Sequence, residues 1–122
     1  MPEKIRKILS EIQARLKRLY GERLKGVYLY GSYARSDYED GSDLDILVIL
    51  DTFRFHNTEI SRTADLVSDL SLKYSITISP MFIRERDWML TRKPLIRNVK
   101  REGVKIYERR KQPVVAQSGR SH

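Results

Sequence analysis

The sequence predicts a two-layer α/β (α+β) domain built on one small mixed sheet, and three observations carry that expectation. Apolar residues recur at helical spacing near the N-terminus. Short runs rich in Val, Ile, Leu and Tyr then alternate with further helical stretches, in the order helix, strand, partial helix, strand, helix, strand, helix. The chain is 122 residues long, 40% hydrophobic and 33% charged, which suits a single core of modest size. No internal repeat or interdomain linker interrupts it.

Composition excludes several classes. No apolar run approaches the ~18–20 residues that span a bilayer, and the charged N-terminus has no signal-peptide core, so a soluble cytoplasmic protein without a membrane partner is expected. The absence of cysteine rules out disulfides, thiolate metal sites and a cysteine nucleophile, and only His56 and His122 carry imidazole. Oxygen and nitrogen are therefore the ligands left for any metal.

The first helix is expected from Glu3 to Tyr20, with Ile5, Ile8, Leu9, Ile12, Leu16 and Leu19 as its buried stripe and Gly21 as its stop. Gly26 to Tyr30 reads as a strand. Gly31-Ser32 turns the chain, Tyr33-Ala34-Arg35 begins a short helix, and residues 36–42 form a polar loop in which Gly41 can relieve a tight turn. Asp43-Leu44-Asp45 leads into Ile46 to Leu50, a continuous apolar run expected to be a buried central strand.

After a loop over 52–57, in which His56 reads as a surface residue, a second helix is expected from Thr58 to Tyr74. Its buried face would be Ile60, Ala64, Val67, Leu70 and Tyr74, with Asn57 or Thr58 as N-cap. Ser75 to Ile83 is the third strand, placed at an edge or bulge by Pro80. A short helix from Arg84 to Leu90 carries Trp88 as a packing anchor. Pro94 opens a helix that stops at Gly103, and Val104 to Tyr107 closes the sheet. The domain is thus expected over residues 1–107, with 108–122 a basic, disordered tail.

Charge is unevenly spread over a net +8. Six acids and no base lie between residues 37 and 51, whereas residues 84–111 hold eleven bases against four acids. An acidic centre in a basic protein suits a cation site that receives a polyanion. Side chains alternate along a strand, so Asp43 and Asp45 project to one side, roughly 6–7 Å apart at Cα, where two carboxylates can share hard cations. Gly31 lacks a Cβ, so the backbone there can approach a phosphate, and the Ser32 hydroxyl adds a donor.

Gly31-Ser32, ten intervening residues, then Asp43-Leu44-Asp45 resembles the signature of the minimal nucleotidyltransferases of the DNA polymerase beta superfamily. The resemblance covers roughly residues 3–107. It implies the nucleotidyltransferase fold, with a small mixed sheet and helices on one side. It also implies that Asp43 and Asp45 bind two Mg²⁺ ions and carry catalysis, while Gly31, Ser32 and Arg35 meet the phosphates of ATP or another nucleoside triphosphate. One departure stands out: where many members carry a third carboxylate on the third strand, the likeliest equivalent here is Thr77, which is neither an anionic ligand nor a base. Glu39 or Asp40 would have to substitute, or the second metal is weakly held.

Similar small proteins accompany HEPN-domain ribonuclease toxins and act as antitoxins by placing AMP on a toxin tyrosine. The implied function is therefore AMP transfer to a partner hydroxyl. The alternative is a catalytically reduced antitoxin that neutralises its partner by binding alone. Homo-oligomerisation is compatible with the sequence, whereas direct nucleic-acid binding is disfavoured because the basic third has few aromatics arranged for base stacking.

Overall fold

Helix α1 (Glu3–Tyr20) forms because its apolar residues fall on one stripe, and Ile5, Ile8, Leu9, Ile12 and Leu16 are all buried. The stripe ends on Tyr20 rather than on the expected Leu19, which is 42% exposed. In this computed structural model, which describes residues 1–109, there follow β1 (Leu24–Tyr30), α2 (Ser32–Arg35), β2 (Leu44–Leu50), α3 (His56–Arg62), α4 (Ala64–Tyr74), β3 (Ile78–Arg84), α5 (Glu85–Leu90), α6 (Pro94–Glu102) and β4 (Val104–Glu108). The closing strand thus runs one residue past the expected boundary. The tail from 110 onward lies outside the described residues.

The sheet is mixed, as expected, with strand order β3-β2-β1-β4. β1 pairs antiparallel with β2 and β4, while β2 and β3 run parallel, joined by the α3–α4 crossover. One face lays Leu24, Val27, Leu29, Ile46, Val48, Leu50 and Phe82 against α1 and against Leu66 and Leu70 of α4. The helices are not confined to that side: α6 sets Ile96 and Val99 on Leu47 of the opposite face, flanked by Tyr28, Tyr30 and Trp88. Trp88 packs on Tyr28 at 4.8 Å between ring centroids, so it is the expected anchor, and Lys100 lies 4.9 Å over its ring.

The single helix expected over 58–74 is two helices, broken at Thr63 (φ −99, ψ 2). The Thr63 hydroxyl donates to the Glu59 carbonyl at 3.0 Å beside the Thr63 N–H at 3.1 Å, back-bonding of the kind that bends a helix. The first of the two starts at His56 with Phe55 at its N-cap and no side-chain cap bond, so the cap lies two residues before Asn57 and three before Thr58, the expected caps. Across the pair the fully buried positions are Glu59, Thr63, Leu66 and Leu70; of the expected face Leu70 is buried, Ile60, Val67 and Tyr74 pack half-buried against the core, and Ala64 alone is exposed. Glu59 is tolerated there because Tyr20 Oη donates to it at 2.6 Å and Arg62 Nε at 3.1 Å.

The two edges of the sheet differ. On β3 the N–H groups facing away from β2 belong to alternate residues. The Ile78 N–H donates to Ser71 Oγ at 3.3 Å, Pro80 has none, and the Phe82 N–H donates to His56 Nε2 at 3.0 Å. His56 is exposed, as expected, yet it serves the strand and sits edge-on to Phe53 and Phe82. On the other side, β4 pairs with β1 alone among the described residues.

Candidate active site

The end of β1 and the start of β2 meet where Tyr30 pairs with Asp45. Gly31 follows at φ +76, a conformation that side-chain-bearing residues rarely adopt, and it caps the single turn of α2. A Cβ built on Gly31 would overlap the Asp45 carboxylate. Glycine therefore brings the backbone of the Gly31-Ser32 turn directly against the second aspartate.

Asp43 sits exposed just before β2, and Asp45, its second residue, is half-buried. Burial pushes the Asp45 carboxyl above its ordinary range; the Asp43 charge adds to that, and Arg35 opposes it. Asp45 therefore feels Asp43, as a carboxylate with a neighbour on the same side of a strand should. Neither forms an ion pair or caps a backbone amide among the described residues, so both are available to a ligand. Burial, and secondly Asp45, also raise the Tyr30 hydroxyl, which stays protonated at neutral pH.

The parallel register sets Ser79 of β3 beside Asp45, and the Leu44 N–H donates to the Thr77 carbonyl at 2.8 Å. Thr77 thus lies level with Asp43, just before the strand begins. Sequence reasoning singled out Thr77 and missed Ser79, because a parallel register across a long crossover leaves no local signal. Among the described residues no group of three acids or histidines converges to hold a metal, so neither Glu39 nor Asp40 joins the pair. Their loop is held elsewhere: Tyr38 stacks on Tyr33 at 4.4 Å, and Ser42 Oγ accepts the Glu39 N–H at 2.9 Å.

Arg35, at the end of α2, places Nε 3.1 Å from Asp37 Oδ2, while its charge reaches Asp45. Ser32 opens the same turn. All five residues singled out from the sequence (Gly31, Ser32, Arg35, Asp43 and Asp45) therefore lie around one junction of the sheet. That junction is an open rim. Cavities of about 500 and 580 Å³ lie elsewhere, one beside Tyr28, Trp88 and Glu108 and the other beyond α2 beside Tyr33, Tyr38 and Val104. Two oxygen-donor carboxylates without thiolate or imidazole fit a hard divalent cation.

A glycine turn thus lies against paired aspartates at the end of one strand and the start of its neighbour, on a mixed sheet with helices on both faces. Residues 5–106 match the family model for the nucleotidyltransferase domain, and the chain belongs to that family. Two relatives in Methanocaldococcus jannaschii, both named as candidate protein adenylyltransferases, are 36% and 35% identical to it. The first match covers 83% of this chain and 96% of the relative, the second 89% and 76%. Among solved structures, a toxin–antitoxin with AMP-PNP superposes with a TM-score of 0.60 at 19% identity, over 84% of this chain and 74% of that one. The complex of tri-AMPylated HEPN toxin with MNT antitoxin from Shewanella oneidensis gives 0.53 at 16% identity, over 84% and 72%. At those identities the structures share the fold with this chain. No described helix is long and apolar enough to cross a membrane.

Proposed function

We propose that this protein transfers AMP from ATP, with Mg²⁺, to a hydroxyl of a partner protein, the acceptor being a tyrosine of a HEPN-type toxin that the transfer neutralises. The observation that carries the reading is the pair Asp43 and Asp45 set against the Cβ-free turn at Gly31. The names of the Methanocaldococcus relatives support adenylyl transfer to protein, and the structural neighbours support the toxin partner. An open rim also suits an acceptor as bulky as a folded protein.

Asp43 and Asp45 would hold the cation, which when bound neutralises phosphate charge and lowers the acceptor's pKa. The Gly31-Ser32 backbone and the Ser32 hydroxyl receive the triphosphate, and Arg35 swings from Asp37 to a phosphate oxygen. The acceptor oxygen bonds to the α-phosphorus in line as the bond to the β-phosphate breaks. Pyrophosphate leaves, and the hydroxyl proton passes to solvent. Thr77 and Ser79 contribute hydroxyls and no base.

The test is transfer of label from α-labelled ATP to the protein encoded beside this one, with Asp43→Asn/Asp45→Asn in parallel. Label that falls roughly 100-fold or more in the double variant is expected. Absence of transfer with every nucleotide, together with tight binding of the neighbour by both forms, would leave the second reading, an antitoxin that masks its partner. The hydroxyl residues standing where a third carboxylate is expected favour that reading.

A further inference from the structure

We propose that two copies of this chain join antiparallel through β4, with Lys105 of each copy opposite Glu108 of the other. Among the described residues the two edges of the sheet differ, and β4 is the one without engaged outward N–H groups along its middle. The outward N–H groups of β3 at Ile78 and Phe82 are taken by Ser71 and His56, and Pro80 offers none. β4 is the outermost strand on the other side among the described residues.

An irregularity in β4 fixes how a second copy fits. Val27 pairs with Tyr107 and Tyr28 with Lys105, so Ile106 is an extra residue in the ladder. Paired residues share a face. Lys105, beside Tyr28, and Glu108, beside Gly26, therefore lie on the α6 face, and their side chains meet at 3.0 Å. Ile106 and Tyr107 both pack toward the α1 face. A regular strand would put neighbours on opposite faces; here two adjacent residues share one.

Self-pairing must match faces as well as backbones. Centring the two-fold axis on Ile106 would place Lys105 opposite Tyr107, which lies on the other face. Centring it between Ile106 and Tyr107 pairs Lys105 with Glu108 twice on the α6 face and Ile106 with Tyr107 twice on the α1 face. Opposite charges and an aliphatic–aromatic pair are favourable cross-strand neighbours. The occupant favoured is therefore a second copy, because β4 is complementary to itself in that register.

The experiment is sedimentation equilibrium of the full chain over a wide concentration range, with Lys105→Glu, Glu108→Lys, the double swap, and a mixture of the two single variants. The wild type should show a reversible dimer of the 14.4 kDa chain. Each single swap sets like charges opposite and should weaken dimerisation about tenfold or more, with circular dichroism unchanged. The double swap and the mixture restore opposite charges across the axis and should restore the dimer. A monomeric wild type at every concentration overturns the proposal. So does a dimer indifferent to the single swaps, or a mixture that stays monomeric while each variant is folded.

Discussion

Ionising Asp45 carries a cost in the folded chain. Its carboxyl is raised by burial and by Asp43, so the folded chain binds its proton more tightly than the unfolded chain does. That contribution favours folding at low pH, below the ordinary carboxylate value, and is lost as pH rises through the raised value. Asp45→Asn should therefore melt a few degrees higher than wild type near pH 7, with the gain shrinking toward pH 4, while nucleotidyl transfer collapses. A lower melting temperature at pH 7 would contradict this account. Gly31→Ala combines a side chain at positive φ with a collision against Asp45, so a loss of roughly 1–3 kcal/mol is expected in urea denaturation, with divalent-cation affinity falling alongside. Both effects stem from one close approach. The motif residues were legible in the sequence because glycine and paired aspartates at this spacing have few other uses; Ser79 was not, because only the register of β3 puts it there.

At the scale of elements, the helix pair α3–α4 shows how polar core positions mislead. Glu59 and Thr63 occupy the centre of the inward face, and their polarity hid them, so the expected face included Ala64, which is exposed, beside Ile60, which packs half-buried on the core. The structure settles Glu59 with Tyr20 and Arg62, so Tyr20→Phe should leave the buried carboxylate short of a donor and destabilise the chain by about 1–3 kcal/mol, read as a lower urea midpoint. An unchanged midpoint would mean that Arg62 alone suffices. α1, β1, β2 and α6 were readable because their apolar residues repeat at the period of the element they form. The break at Thr63 was not, since a threonine hydroxyl reaching back to Glu59 leaves the sequence looking helical throughout.

For the whole molecule, the order of elements and a mixed sheet could be anticipated from the alternation of elements, whereas which strands pair parallel and the cover on both faces could not. α6 had an evident stripe, but nothing local says to which side of the sheet Ile96 and Val99 turn. The edges are likewise a property of the assembled sheet. His56→Ala frees the Phe82 N–H, so faster amide exchange at Phe82 is expected while the exchange of Leu47 on the central strand stays unchanged; equal exchange in both proteins would show that the imidazole does not guard it. A subunit with two growable borders would be bifunctional in the polymer chemist's sense and could add copies without limit. Among the described residues, β3 has its outward N–H groups at Ile78 and Phe82 engaged and β4 has none beyond β1, so the proposed pairing is monofunctional: each addition would also be a termination, and assembly through the sheet would stop at a pair.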